Sequence, residues 1–132
     1  RLKSVFLVGT GTLEEHYGAL YQDGQPDWER TKKALRKLKR LCDQRGIPLV
    51  VLLVPEIHDF SANGPYPPIY EILDRTFAAM GVKMINPLAA MRERFGDSAS
   101  AAWIAKDDPH PSAEAHEVMA DAVYRHLSKI RM

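Results

Sequence analysis

"IPLVVLLVP", residues 47–55, is apolar on both of the faces a strand would present, and Pro55 closes it. A short run of this kind, with no polar alternation, reads as a strand covered by helices on both sides, the usual environment of a parallel sheet. The flanking sequence agrees. Upstream, Ala34, Leu35, Leu38, Leu41 and Cys42 recur three and four apart and predict a helix over residues 28–44, with Pro26 and Asp27 suited to its start and Gly46 to its stop. Downstream, Ile69, Ile72, Leu73, Phe77 and Met80 predict a helix over residues 69–80 that ends at Gly81.

The pattern continues on both sides. "SVFLVG", residues 4–9, and "VKMINP", residues 82–87, read as further short strands. A short helix is expected from Leu88 to Phe95, and a closing amphipathic helix from about Ser112 with Ala115, Val118, Met119, Ala122, Val123, Leu127 and Ile130 as its buried stripe. Residues 13–24 suit either a short helix with Leu13, Tyr17 and Leu20 buried or a lid-like excursion. Strands alternating with helices predict an α/β fold with a parallel sheet, right-handed crossovers and helices on both faces. Ligands of such sheets gather beyond the carboxyl ends of the strands, where Thr10, Glu56, His58 and Asn86 would lie.

Composition limits the function. The chain has 132 residues, enough for a single core. Its net charge of +1 provides no global field for nucleic acid. The basic residues Lys32, Lys33, Arg36, Lys37, Lys39 and Arg40 read as the solvated face of the first long helix. The single Cys42 excludes an intrachain disulfide and a cysteine-rich zinc site. No run approaches the 18 apolar residues of a membrane span and no secretory leader opens the sequence, which leaves a soluble, cytoplasmic protein as the default expectation.

The chemistry concentrates in "DDPHPSAEAH", residues 107–116. Pro109 and Pro111 restrict the backbone around His110 and lower the entropy lost in fixing its imidazole. A carboxylate just upstream can accept from one ring nitrogen, set the tautomer and leave the other nitrogen free to take a proton from a hydroxyl. Asp107 and Asp108 both stand within reach in sequence. Helix capping or an Asx turn, and metal ligation, are competing readings of the same residues. His116 suits a structural role, holding the His110 loop. "PEIHDF", residues 55–60, offers Glu56, His58 and Asp59 as substrate-wall contacts, loop hydrogen bonds or hard-metal ligands, and "NGPYPPIY" beside it offers Tyr66 and Tyr70 as pocket walls.

The block "DDPHPSAEAHEVMADAVYRHL" resembles the last block of the SGNH, or GDSL, hydrolase superfamily, in which Asp-x-x-His-Pro precedes the final helix. That resemblance implies a three-layer SGNH or flavodoxin-like fold and an esterase, lipase or acylhydrolase that needs no cofactor and no metal. Carried onto this chain, Asp107 would be the triad acid and His110 the base, with Asp108 the alternative acid. Ser112 stands where the family commonly has Asn, and Ala115-His116 where it commonly has Gly-His. Glu56, His58, Thr10 and Tyr66 would contact the substrate, a small-molecule, lipid or carbohydrate ester.

The family's Gly-Asp-Ser nucleophile block is absent after the first strand. "GDS" at residues 96–98 follows a short helix and reads as a chance match. The chain is therefore expected to be a single incomplete domain, the C-terminal portion of a longer hydrolase, with the serine in an upstream segment or a companion chain. A catalytically inactive binding domain is the main alternative, and a metal-dependent phosphoesterase the second.

Overall fold

The structure is a computed structural model and describes residues 13–129. The strand expected over residues 4–9, and Thr10, lie outside the described residues. In order along the chain come α1 (Leu13–Leu20), α2 (Pro26–Gln44), β1 (Val50–Leu52), α3 (Pro67–Ala79), β2 (Lys83–Ile85), α4 (Leu88–Phe95), a 3-10 turn (Ala99–Ala102), β3 (Trp103–Ala105), β4 (Asp108–Pro111) and α5 (Ala113–Leu127). The architecture is mixed α/β: β1 and β2 pair in parallel, β3 and β4 form an antiparallel hairpin, and helices flank both pairs.

The parallel pair distributes its side chains as the period of two requires. Val51 stands opposite Met84 in the ladder, and both join Phe77 of α3, Val82 and Leu35 of α2 in one apolar cluster. Leu52 turns to the other face, where Leu88 and Met91 of α4 and Ala115 and Met119 of α5 form the larger cluster with Phe60, Ile69 and Tyr70. The segment predicted as a long buried strand is shorter and more open than expected. Only residues 50–52 are strand, all half-buried, and the ladder extends by one more bond, Leu53 N–H to the Ile85 carbonyl at 2.9 Å. Ile47 instead closes α2, its N–H donating to the Cys42 carbonyl at 2.9 Å, and Val54 is exposed.

The helix ends follow their sequence signals closely, but the apolar stripe predicted for α2 is not a buried one: Leu35 and Cys42 are half-buried, and Ala34, Leu38 and Leu41 are exposed. Gln25 caps α2 by accepting the Trp28 N–H at 2.8 Å, and Ser112 caps α5 by accepting the Ala115 N–H at 3.2 Å. Gly96 ends α4 at φ 71°, a left-handed conformation that L side chains adopt only with strain.

One reading of the basic helix face needs correction. Lys32 is not solvated: it is 9% exposed, lies 5.7 Å from the centre of the Trp28 ring, and reaches Asp23 at 3.0 Å and Glu29 at 2.6 Å. A lysine stem can lie along an apolar wall while its ammonium finds carboxylates, so charge alone did not reveal the burial. The Glu29 and Asp23 carboxylates hold the Lys32 ammonium above its ordinary value, and Lys32 holds Glu29 below its own.

The largest departure from the sequence reading is the β3–β4 hairpin. Lys106 and Asp107 make the two-residue turn between the strands, and the register is irregular between Trp103 and Ala105. No non-glycine among the described residues has positive φ, so this turn is not the primed type that announces a hairpin in sequence. Pro109 and Pro111, which argue against a strand, are tolerated because β4 has one neighbour among the described residues. The Ser112 N–H donates to the Ala102 carbonyl at 2.8 Å and ties the end of β4 back to the 3-10 turn.

Candidate functional site

The hairpin determines which aspartate meets His110. Residues two apart on a strand share a face, so Asp108 and His110 project together while Asp107 is left in the turn. The Asp108 carboxylate accepts from His110 Nδ1 and, at 3.2 Å, from the His110 backbone N–H. His110 thus holds its own neighbour below the usual carboxylate range, the ring hydrogen bond contributing most. An ionised carboxylate can only accept, so Nδ1 carries a proton, and in the neutral imidazole Nε2 keeps its lone pair. The residue on the ring is Asp108, the alternative acid, rather than Asp107, which is exposed.

His110 lies at the wall of a cleft of about 490 Å³ beyond the carboxyl end of β1. Glu56, His58 and Tyr66 line the same cleft, so four residues singled out in the sequence converge there. Tyr17, Tyr21 and Tyr70 add further ring surface, and Leu53, Ile57 and Ile69 make an apolar floor. The His110 side chain is 81% exposed, so the pair is open to solvent and adds little to stability.

The opposite wall is held from several directions. The Glu56 backbone N–H donates to Tyr70 Oη at 2.6 Å, and burial pushes the Tyr70 phenol up to about 12. Trp103 Nε1–H donates to the Ile57 carbonyl at 2.6 Å, which joins the β3 strand to the loop after β1. His58 Nδ1 meets the Glu56 carboxylate, and its ring stands edge-on to Trp103 with centroids 5.8 Å apart. Trp103, missed in the sequence reading, is therefore the residue that connects the hairpin to the strand-end loop. Its one visible signal was a large aromatic immediately upstream of the Asp-His block.

The remaining sequence candidates fall elsewhere. His116 is exposed on the first turn of α5. Ser98 of the "GDS" triplet hydrogen-bonds Ser100 Oγ at 3.1 Å and does not line the cleft. Asp59 turns into its own loop and accepts the Ser61 N–H at 2.7 Å. Among the described residues no group of three or more His, Cys, Asp or Glu side chains is arranged to hold a metal ion, and no helix is long and apolar enough to cross a membrane.

Two expected results concern this loop. A Cβ at Gly64 would stand 2.5 Å from Asp59 Oδ2 and 2.9 Å from Ser61 Oγ. Gly64→Ala accordingly presses on the ends of two loop side chains that can swing aside, and is expected to destabilise the fold by no more than about 1 kcal/mol, read as a small fall in the urea midpoint. The second concerns pH. The Ser61 backbone N–H first, then its hydroxyl, hold Asp59 below the ordinary carboxylate value, and Asp108 is lowered as well. A carboxyl with a depressed folded pKa binds more protons unfolded, so its contribution is present above about pH 4 and lost as pH falls through the folded value. Thermal melts across this acid range should show a shallower loss in Asp59→Asn than in the parent; an unchanged acid limb would remove Asp59 from the account.

Comparison of the chain with protein-family models, with curated proteins and with solved structures finds no match in any of the three.

Proposed function

We propose that the chain is the C-terminal part of an SGNH-like hydrolase domain of three-layer α/β build, acting on ester bonds through an acyl-serine. In this reading the serine comes from outside the described residues, His110 Nε2 takes its proton as the oxygen attacks the ester carbonyl, and Asp108 holds the imidazole in the required tautomer. The same proton then passes to the departing alcohol. Water, deprotonated in turn by His110, releases the acid and restores the serine. No cofactor takes part.

The observation that carries the reading is the Asp108 carboxylate on His110 Nδ1, with the ring at the wall of a cleft beyond the carboxyl end of a parallel strand. That position is where α/β sheets bind their ligands, and the pairing leaves a free imidazole lone pair in it. The resemblance of "DDPHPSAEAH" to the SGNH closing block adds the reaction class. Among the described residues no serine, threonine or cysteine lines the cleft, and for that reason the nucleophile is assigned elsewhere.

The test uses the full-length gene product. Incubation with a fluorophosphonate should add one phosphonyl group to a single serine, and p-nitrophenyl acetate should be turned over until that labelling is complete. A protein that is neither labelled nor active would instead be a binding domain whose cleft takes a ligand without transforming it.

A further inference from the structure

The cleft contains a second carboxylate–histidine pair built on the same spacing as the first. Glu56 and His58, like Asp108 and His110, are two residues apart, and in both pairs the carboxylate takes the histidine Nδ1. We propose that the Glu56–His58 pair binds the alcohol portion of the ligand, His58 Nε2 accepting a hydrogen bond from a free hydroxyl, so that the cleft selects polyol esters over esters of simple alcohols. The ester part of this inference rests on the hydrolase reading; the hydroxyl site does not.

The chemistry follows from the proton count. With the imidazole neutral, the Glu56 carboxylate, an acceptor, holds the His58 proton on Nδ1 and leaves Nε2 to accept, so that its partner is an O–H or N–H donor. The His58 side chain is 55% exposed, so a ligand can reach it. Its placement is nonetheless fixed. The segment is anchored at the Glu56 N–H by Tyr70, at the Ile57 carbonyl by Trp103, and by the buried Ile57 side chain. Trp103 also stands against the His58 ring.

Stability gives little reason for the pairing itself, because a solvent-exposed pair of this kind contributes about 0–1 kcal/mol at most, whereas the Tyr70 and Trp103 bonds satisfy polar groups of packed rings in any case. Positioning a ligand does give a reason. Trp103 lies on β3 and His110 on the adjoining β4, so one hairpin fixes both imidazoles with respect to each other. The cleft lining also includes the half-buried Tyr17 and the buried Tyr66, packed edge-to-face with centroids 5.9 Å apart. Ring surface beside a hydrogen-bond acceptor suits a ligand with C–H and O–H groups alternating along it, as a polyol has.

The test has a binding arm and a kinetic arm, both on the full-length protein. In the first, the His58 imidazole nitrogens are followed by NMR during titration with glycerol and, separately, 1,2-dimethoxyethane, an ether with no O–H to donate. A saturable shift at Nε2 with glycerol only, absent in Glu56→Gln, is the expected result. No response of His58 to glycerol, or an equal response to the ether, overturns the inference whatever the enzyme does.

In the second arm, glycerol monoacetate and ethyl acetate are compared as substrates. His58→Phe should raise KM for glycerol monoacetate roughly tenfold more than KM for ethyl acetate, the size of one hydrogen bond, with kcat for the glycerol ester little changed. Equal effects on both esters, or none on either, count against the inference. Glycerol binding at His58 with neither ester hydrolysed would uphold the hydroxyl site and refute the hydrolase reading.

Discussion

Phe60→Ala is expected to lower the free energy of unfolding by about 3–5 kcal/mol, a large share of the roughly 5–15 kcal/mol that holds a domain together. Phe60 is 0% exposed and lies in the cluster formed with α4, α5 and the 3-10 turn. Truncation removes an aromatic ring from contact on every side, and the surrounding helices cannot close over the space without shifting their own packing. Its carbonyl accepts from Arg92 Nε, so the backbone at this point stays tied to α4 after the ring is gone. Part of the cavity should therefore persist. Urea denaturation followed by tryptophan fluorescence measures the change. Val54→Ala, at an exposed position in the same segment, should stay within about 0.5 kcal/mol of the parent. Similar losses for the two variants would show that the core is not where the packing puts it.

The second large effect follows from the proposed hydrolase reading. His110→Ala should reduce kcat/KM for p-nitrophenyl acetate in the full-length protein by about 10⁴-fold or more, since removal of the base from a triad leaves only binding and carbonyl polarisation. The same substitution should hardly alter stability, because the ring is mostly in solvent and its pairing with Asp108 is exposed. This separation is useful. A residue whose loss stops the reaction without moving the urea midpoint is acting on substrate, whereas parallel losses of both would place His110 in the scaffold.

Much of the helical framework is legible in the sequence because each helix carries its own evidence. Phe77 in α3 and Met119 in α5 sit on apolar stripes bounded by Pro, Gly or Ser at the ends, and these local signals coincide with the tertiary packing, whereas α2 packs through Trp28 and Leu35 and leaves Leu38 and Leu41 exposed. The strands are less legible. "IPLVVLLVP" announces a strand, but its length is set by the partner: β2 offers three ladder positions, and β1 has the same three. Lys32 packs over Trp28 and pairs with Glu29, both at helical spacing, and also reaches Asp23, nine residues away, which no helical periodicity reports.

The site was legible in composition but not in geometry. Glu56, His58, Tyr66 and His110 were each suspected, and the fold gathers all four around one cleft. The choice between Asp107 and Asp108 depended on the conformation of the backbone between Ala105 and Ser112. The resemblance to the SGNH closing block implies Asp107; folded as a strand, the period of two selects Asp108. The prolines that made a strand hard to foresee also flank the histidine and restrict its backbone.

That choice gives the most direct measurement of the central claim. Asp107→Asn and Asp108→Asn are compared in the full-length protein by kcat/KM for p-nitrophenyl acetate. The account predicts a fall of about 10²-fold or more for Asp108→Asn, in the range of general acid–base contributions, and a change within about twofold for Asp107→Asn. A protein that keeps its rate without the Asp108 carboxylate and loses it without that of Asp107 would contradict the account.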